Sequence, residues 1–179
     1  MKYKTKLIAS DIVLLAAVVA ADQYTKYLAV QGLKNKPAFI IVDGVLEFNY
    51  LENVGAAFGM LPNQKFFFVF VALIFLCVIG FVLTRTPGKN RYIALHILLT
   101  MIAGGAIGNM IDRLRMTYVV DFIYVPVVKF FGQSFPIFNV ADMFLTVPTF
   151  VLIILILFVY KEDDFAFLSL KQRNYRELK

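Results

Sequence analysis

Residues 92–113 read YIALHILLTMIAGGAIGNMIDR, and this stretch decides the fold. From Tyr92 to Ile111 it carries no Asp, Glu, Lys or Arg, and an apolar helix of about 20 residues spans a hydrocarbon core about 30 Å thick. Gly104 and Gly108 form a small-xxx-small pair of the kind that lets helices approach closely in a membrane. The stretch then ends on Asn109, Asp112 and Arg113, spaced i, i+3 and i+4, so one helical face presents an amide, a carboxylate and a guanidinium. Arg113 reads either as an interfacial anchor or as the partner of Asp112 or of a carboxylate elsewhere.

The rest of the chain repeats the pattern. Hydrophobic residues make up 60% of the 179 and charged residues 17%, with a mean hydropathy of +0.76, against about 25% charged in a soluble domain. Further apolar spans lie at about 7–30, 66–83 and 141–160. The first has features of a signal peptide: Lys2, Lys4 and Lys6, an apolar stretch, then Val19-Ala20-Ala21. Helix formers continue past that point through Asp22, Lys26 and Leu28, which favours an uncleaved span. Pro148 is expected to kink the fourth span or to end a loose first turn. The expected fold is an all-α membrane protein, one domain over 1–179, with four transmembrane helices.

The expected outer segments, about 31–65 and 112–140, are unlike ordinary loops. AFIIVDGVLEFNYL at 38–51 surrounds Asp43-Gly44, a hairpin signal, and TYVVDFIYVPVVKFF at 117–131 is again β-prone and too apolar for a solvated loop. A small extracytoplasmic β-rich segment and an interfacial loop are therefore expected, with Gly44, Gly55 and Phe58 suited to a mobile flap. Lys and Arg set the sidedness: eleven fall in the N-terminus, the second connection and the 161–179 tail, and six in the outer segments. The positive-inside rule then places both termini and the tail in the cytoplasm. The net charge of +6 is thus spent on orientation, and nucleic acid is not an expected partner.

Composition also narrows the chemistry. Cys77 is the single cysteine and His96 the single histidine, both inside apolar runs, so no internal disulfide, HExxH zinc motif or Cys-His pair is available. His96 reads as a packing or interfacial residue, and no metal or cofactor is expected. Asp121, in VVDFI, and Asp142, in FNVAD, remain. Asp142 has a structural reading too, at N3 of a helix capped by Asn139, where the dipole favours a carboxylate. Asp121 has no such reading. Two carboxyls that share a proton form an aspartyl mechanism: the ionised one activates water and the protonated one polarises the scissile carbonyl. Among the other polar residues, Asp22 and Lys26 lie four apart and can pair, Asp11 reads as an interfacial charge, and Asn53 opens NVGAAFG as either a turn residue or a backbone-binding one.

Together DQYTKY, NVGAAFG, GGAIGNMIDR, VVDFI and FPIFNVAD, in this order across the spans, closely resemble the bacterial lipoprotein signal peptidases (signal peptidase II). The resemblance covers nearly the whole chain. It implies an aspartyl endopeptidase of the cell membrane, with its active site on the outer face, that removes signal peptides from diacylglyceryl-modified prolipoproteins just before the lipidated cysteine. It implies Asp121 and Asp142 as the catalytic pair, with Asp22, Lys26, Asn53, Gly108, Asn109, Asp112, Arg113, Asn139 and Ala141 as substrate-binding or supporting residues. It also implies diacylated prolipoproteins, membrane lipid and globomycin-like cyclic peptides as partners. The alternative is a small proton- or ion-coupled transporter subunit that uses the same acids as relays. Transport sites usually lie near the midplane, whereas these acids cluster at span ends.

Overall fold

The computed structural model describes residues 2–55, 60–130 and 132–168. Phe58 and the tail beyond residue 168 lie outside the described residues. The elements in chain order are helix α1 (Lys2–Leu33), strands β1 (Phe39–Val42) and β2 (Leu46–Asn53), helices α2 (Lys65–Arg85) and α3 (Ile93–Met116), strand β3 (Val119–Tyr124), the short strands β4 (Lys129–Phe130) and β5 (Gln133–Ser134), and helix α4 (Val140–Phe158). One 3₁₀ turn, Asn90–Tyr92, leads into α3, and another, Glu162–Leu168, follows α4.

Among the described residues, three helices are long and apolar enough to cross a membrane: α2, α3 with its leading turn, and α4. Their exposure says what surrounds them. Within α2 only Ile79 is buried, and Phe66, Phe70 and Val78 stand 81%, 62% and 54% exposed. An apolar surface of that extent is unsupportable in water and expected in lipid. In contrast α3 is buried along most of its length and packs against α1, α2 and α4, which makes it the axis of the bundle. At 32 residues, α1 is longer than the expected span because it continues at both ends.

Small residues bring the helices close. Gly104 and Gly108 face α1, where an added methyl would meet the Val18 side chain and the Asp22 carboxylate; Gly105 faces α4, where the methyl would sit 2.5 Å from the Ala141 carbonyl oxygen. Helix α4 runs through Pro148 without ending there. At the N-terminal end of α3, Tyr92 stacks on Tyr160 at 6.4 Å, and Phe165 and Phe167 pack on the core around Ile79 and Leu95. The Arg91 guanidinium donates to Asp164 and holds that carboxyl down at about 2.

The segments that follow α1 and α3 pair with each other. Strands β1, β2 and β3 form an antiparallel sheet in that order, with Leu51 opposite Asp121 and Asn53 opposite Val119. The β1–β2 turn runs through Gly44 at φ +67, a conformation glycine adopts without strain. The β-prone 117–131 stretch holds strand β3, and β4 within it pairs with β5 just beyond. Phe138, just before α4, exchanges backbone hydrogen bonds with Ile123 at 2.8 and 3.0 Å. The start of α4 is thereby tied to β3.

Gly105→Ala is expected to cost about 1–3 kcal/mol, because its methyl would meet backbone that cannot rotate away. Gly80→Ala, whose methyl meets nothing within 4 Å, is the control. Thermal unfolding in detergent should show a lowered midpoint for Gly105→Ala alone.

Candidate active site

The site begins with a buried cation. Lys26 is 3% exposed, and its ammonium sits 2.9 Å from Asp22 Oδ2, 2.9 Å from Asp112 Oδ2 and 2.8 Å from Asn109 Oδ1. Its three N–H donors are therefore matched by three acceptors, the condition under which a charge can be buried. Asp22 and Lys26 come from α1, and Asp112 and Asn109 from α3. The Asp22–Lys26 pair occurs as its spacing suggests. Arg113 does not pair with Asp112, whose carboxylate Lys26 has already engaged; its guanidinium instead donates to the Gly55 carbonyl at 3.0 Å and lies over the Phe68 ring at 4.8 Å.

Each of the two acids beside Lys26 also accepts a backbone N–H. Asp22 Oδ1 accepts from Ala141 at 2.9 Å, and Asp112 Oδ2 accepts from Val120 at 3.2 Å. These are the residues immediately before Asp142 and Asp121. The ion cluster between α1 and α3 thus grips the chain one residue ahead of each candidate acid. Gly108 leaves the room for Asp22 to lie there, and Ala141, fully buried, packs over it.

Asparagines then hold the two candidate carboxylates. Asn139 is the N-cap of α4: its Oδ1 accepts the Asp142 backbone N–H at 2.9 Å, and Asp142 Oδ2 accepts the Asn139 backbone N–H at 3.0 Å, a capping box. The other end of the same amide, Nδ2, donates to Asp121 Oδ1 at 2.6 Å. Asn53 Nδ2 donates to Asp121 Oδ2 at 2.8 Å, and Asn109 Nδ2 donates to Asp142 Oδ1 at 2.8 Å. Every oxygen of the two carboxylates therefore receives one N–H. Asp121 and Asp142 line one cavity of about 230 Å³, whose walls include Asn53, Asn109, Arg113 and the Phe135–Phe138 segment.

Asp121 is 2% exposed. Burial, with the nearby Asp142 charge adding to it, pushes its carboxyl up to about 7, against the lowering effect of the Asn53 and Asn139 hydrogen bonds. The arrangement can hold one proton between two acids near neutral pH.

Every site residue singled out in the sequence falls in this network or packs against it. Gln23 was missed: its Nε2 lies within hydrogen-bond distance of Asp112 Oδ1 at 2.9 Å, Asp22 Oδ2 at 3.1 Å and the Gly108 carbonyl at 3.2 Å. Its position beside Asp22 was the available signal. Asp11 has a partner that its sequence position did not suggest, since its Oδ2 lies 2.7 Å from Nδ1 of the buried His96.

The family model for signal peptidase (SPase) II matches residues 14–158. The lipoprotein signal peptidase of Caldanaerobacter subterraneus subsp. tengcongensis is 42% identical over 147 residues, 82% of this chain and 95% of that protein. That of Streptococcus pyogenes serotype M5 is 36% identical over 163 residues, 91% and 99% of the two chains. A solved bacterial membrane enzyme superposes with a TM-score of 0.73 at 32% identity, covering 87% of this chain and 93% of its own. Fold and surroundings thus define a membrane enzyme of the peptidase class. The chain belongs to the signal peptidase II family.

The raised Asp121 value carries a sign. Between the ordinary aspartate range near 3.8 and about 7 the folded protein holds a proton that the unfolded chain has released, so stability falls as pH rises through that window and levels off above it. Asp121→Asn removes the effect. Its stability should gain on wild type by an amount that grows from pH 5 to about 7 and then levels off, on the order of a few kcal/mol, read as a widening difference in thermal midpoint.

Proposed function

We propose that this chain removes signal peptides from diacylglyceryl-modified prolipoproteins by an aspartyl mechanism, cutting just before the lipidated cysteine, with Asp121 and Asp142 as the catalytic pair. One observation carries the reading: the two carboxylates come from β3 and α4, face one cavity, and are bridged by a single residue, Asn139. Membership of the signal peptidase II family supports the substrate class and leaves the transporter alternative without support.

The chemistry follows from the shared proton. Burial and the Asp142 charge favour the proton on Asp121, leaving Asp142 ionised. A water between them gives a proton to Asp142 while its oxygen attacks the scissile carbonyl, and Asp121 donates its proton to the carbonyl oxygen. The tetrahedral intermediate collapses when the C–N bond breaks, the leaving amine takes the proton from Asp142, and the hydroxyl proton returns to Asp121. Arg113, which lines the cavity, places a positive charge beside the substrate backbone. Asn53 and Asn139 orient Asp121, and Asn109 orients Asp142. No metal or cofactor enters this scheme.

In this reading α1 is a fourth membrane span, both termini are cytoplasmic, and the cavity opens at the extracytoplasmic face. The charge asymmetry of the connections supports that orientation. The exposed apolar residues of β1, Phe39 to Val42, suit a sheet lying in the outer lipid surface, where a diacylated substrate arrives. A globomycin-like cyclic peptide would lodge in the same cavity, between the aspartates.

Purified protein incubated with a diacylated prolipoprotein should yield the mobility shift of the mature form. Asp121→Asn and Asp142→Asn should each lower that rate by at least about 10³-fold while remaining folded in the membrane; undiminished processing by either would sink the assignment. The pH–rate profile should fall on its alkaline side near 7, where Asp121 loses its proton.

A further inference from the structure

Six polar side chains line the cavity that holds the two aspartates. Five of them are already hydrogen-bonded within the protein: Asn53, Asn109, Arg113, Asp121 and Asp142. The sixth, Thr146, is exposed, and its hydroxyl makes no hydrogen bond among the described residues.

A threonine within a helix can give its proton to a carbonyl one turn back. Thr25 and Thr84 do so, to Ala21 and Phe81 at 3.0 and 2.9 Å, and Thr149, three residues beyond Thr146 on the same helix, donates to Leu145 at 2.5 Å. Thr100 also lacks a partner, but it is buried and lines no part of this cavity. Thr146 follows Asp142 by four residues on one face of α4, so both reach the cavity. Since α4 runs from its cap at Asn139 into an apolar span, Thr146 lies about 6 Å further into that span than Asp142.

We propose that Thr146 is a substrate-binding residue whose hydroxyl donates to a backbone carbonyl of the signal peptide, that of the third residue before the lipidated cysteine. The inference rests on the peptidase reading of Asp121 and Asp142 and extends it to the register of the bound peptide. A signal peptide carries its apolar segment ahead of the cleavage site, so the residues before the scissile bond lie on the membrane side of the dyad, where Thr146 stands. A segment bound there in extended form has backbone carbonyls without partners, and hydrocarbon supplies no donor. An extended chain rises about 3.3 Å per residue and alternates in direction. The carbonyl one residue ahead of the attacked one therefore points away, and the next on the same side is about 6.6 Å off. That repeat matches the step along α4 from Asp142 to Thr146. The other polar side chains of the cavity are held by the network around the dyad, which leaves Thr146 with a hydroxyl to spare.

Binding is read apart from cleavage with the full chain carrying Asp121→Asn, in lipid nanodiscs, and a dye-labelled synthetic diacylated prolipopeptide. Adding Thr146→Val should weaken binding about fivefold, the size of one lost hydrogen bond, and Thr146→Ser in its place should restore it. A second peptide has an ester instead of the amide that follows the third residue before the cysteine, which makes that carbonyl a weaker acceptor. The ester should cost affinity severalfold with Thr146 present, and most of that cost should vanish with Thr146→Val. In the active enzyme Thr146→Val should raise KM by the same factor while kcat and the thermal midpoint stay unchanged, a split that loosened packing does not produce. Equal binding with and without Thr146→Val, no recovery in Thr146→Ser, an ester cost that Thr146→Val leaves untouched, or a peptide that does not bind would each overturn the proposal. A wild-type chain that binds the peptide without cutting it would instead sink the peptidase reading, with the binding comparison still deciding the part of Thr146.

Discussion

The ammonium of Lys26 is the constraint on which the rest of the structure depends. A lysine buried in a protein of this composition must find its counter-charges within reach or lose its charge. Lys26 finds one on its own helix, Asp22, and one on α3, Asp112. Neither helix can bury its share alone, so α1 and α3 are held in one relative position. The oxygens those acids have to spare then fix two further segments, the β3 backbone at Val120 and the α4 backbone at Ala141. A single cation therefore sets where two separate parts of the chain begin, and each carries one of the two cavity aspartates in its next residue.

Packing allows this arrangement because the crowded positions are small. Asp22 reaches the start of α4 only across Gly108, and α4 approaches α3 only over Gly105. Lipid-facing positions work differently. On α2 and α4 one face, including Leu76, Val82, Leu83, Leu145, Leu152 and Leu155, packs on the core, while many of the other apolar side chains are exposed and contribute solubility in the bilayer rather than shape. Specific geometry is concentrated at the C-terminal end of α3, in a cluster of buried charged and amide side chains.

Much of this was legible in the sequence because membrane helices announce themselves by composition and glycine spacing. The spans at 66–83, 92–111 and 141–160, the Asp43-Gly44 turn and the Asn139–Asp142 cap each follow from a local rule, and each has a local structural counterpart. What was not legible is long-range choice among acceptors. Asp112 stood next to Arg113 in sequence, yet it pairs with Lys26, 86 positions away, while Arg113 turns to the Gly55 carbonyl. The pairing of β2 with β3, the joining of Asp11 to His96 and the part played by Gln23 are of the same kind. Each depends on which helices meet, and no spacing within one helix carries that information.

The asparagines have a consequence for where a proton can reside. Lys26 can only donate, so the oxygen of Asn109 must face it and the nitrogen must face Asp142. Likewise the Asp142 backbone N–H takes the oxygen of Asn139 and turns its nitrogen toward Asp121. Neither amide can flip without setting donor against donor, so the hydrogen-bond chain runs one way, from the buried cation outward. Each carboxylate oxygen at its end has one lone pair occupied by an N–H. A proton arriving at the pair must take a lone pair that these amides leave open, so the protein interior settles the direction of proton traffic before any substrate is bound.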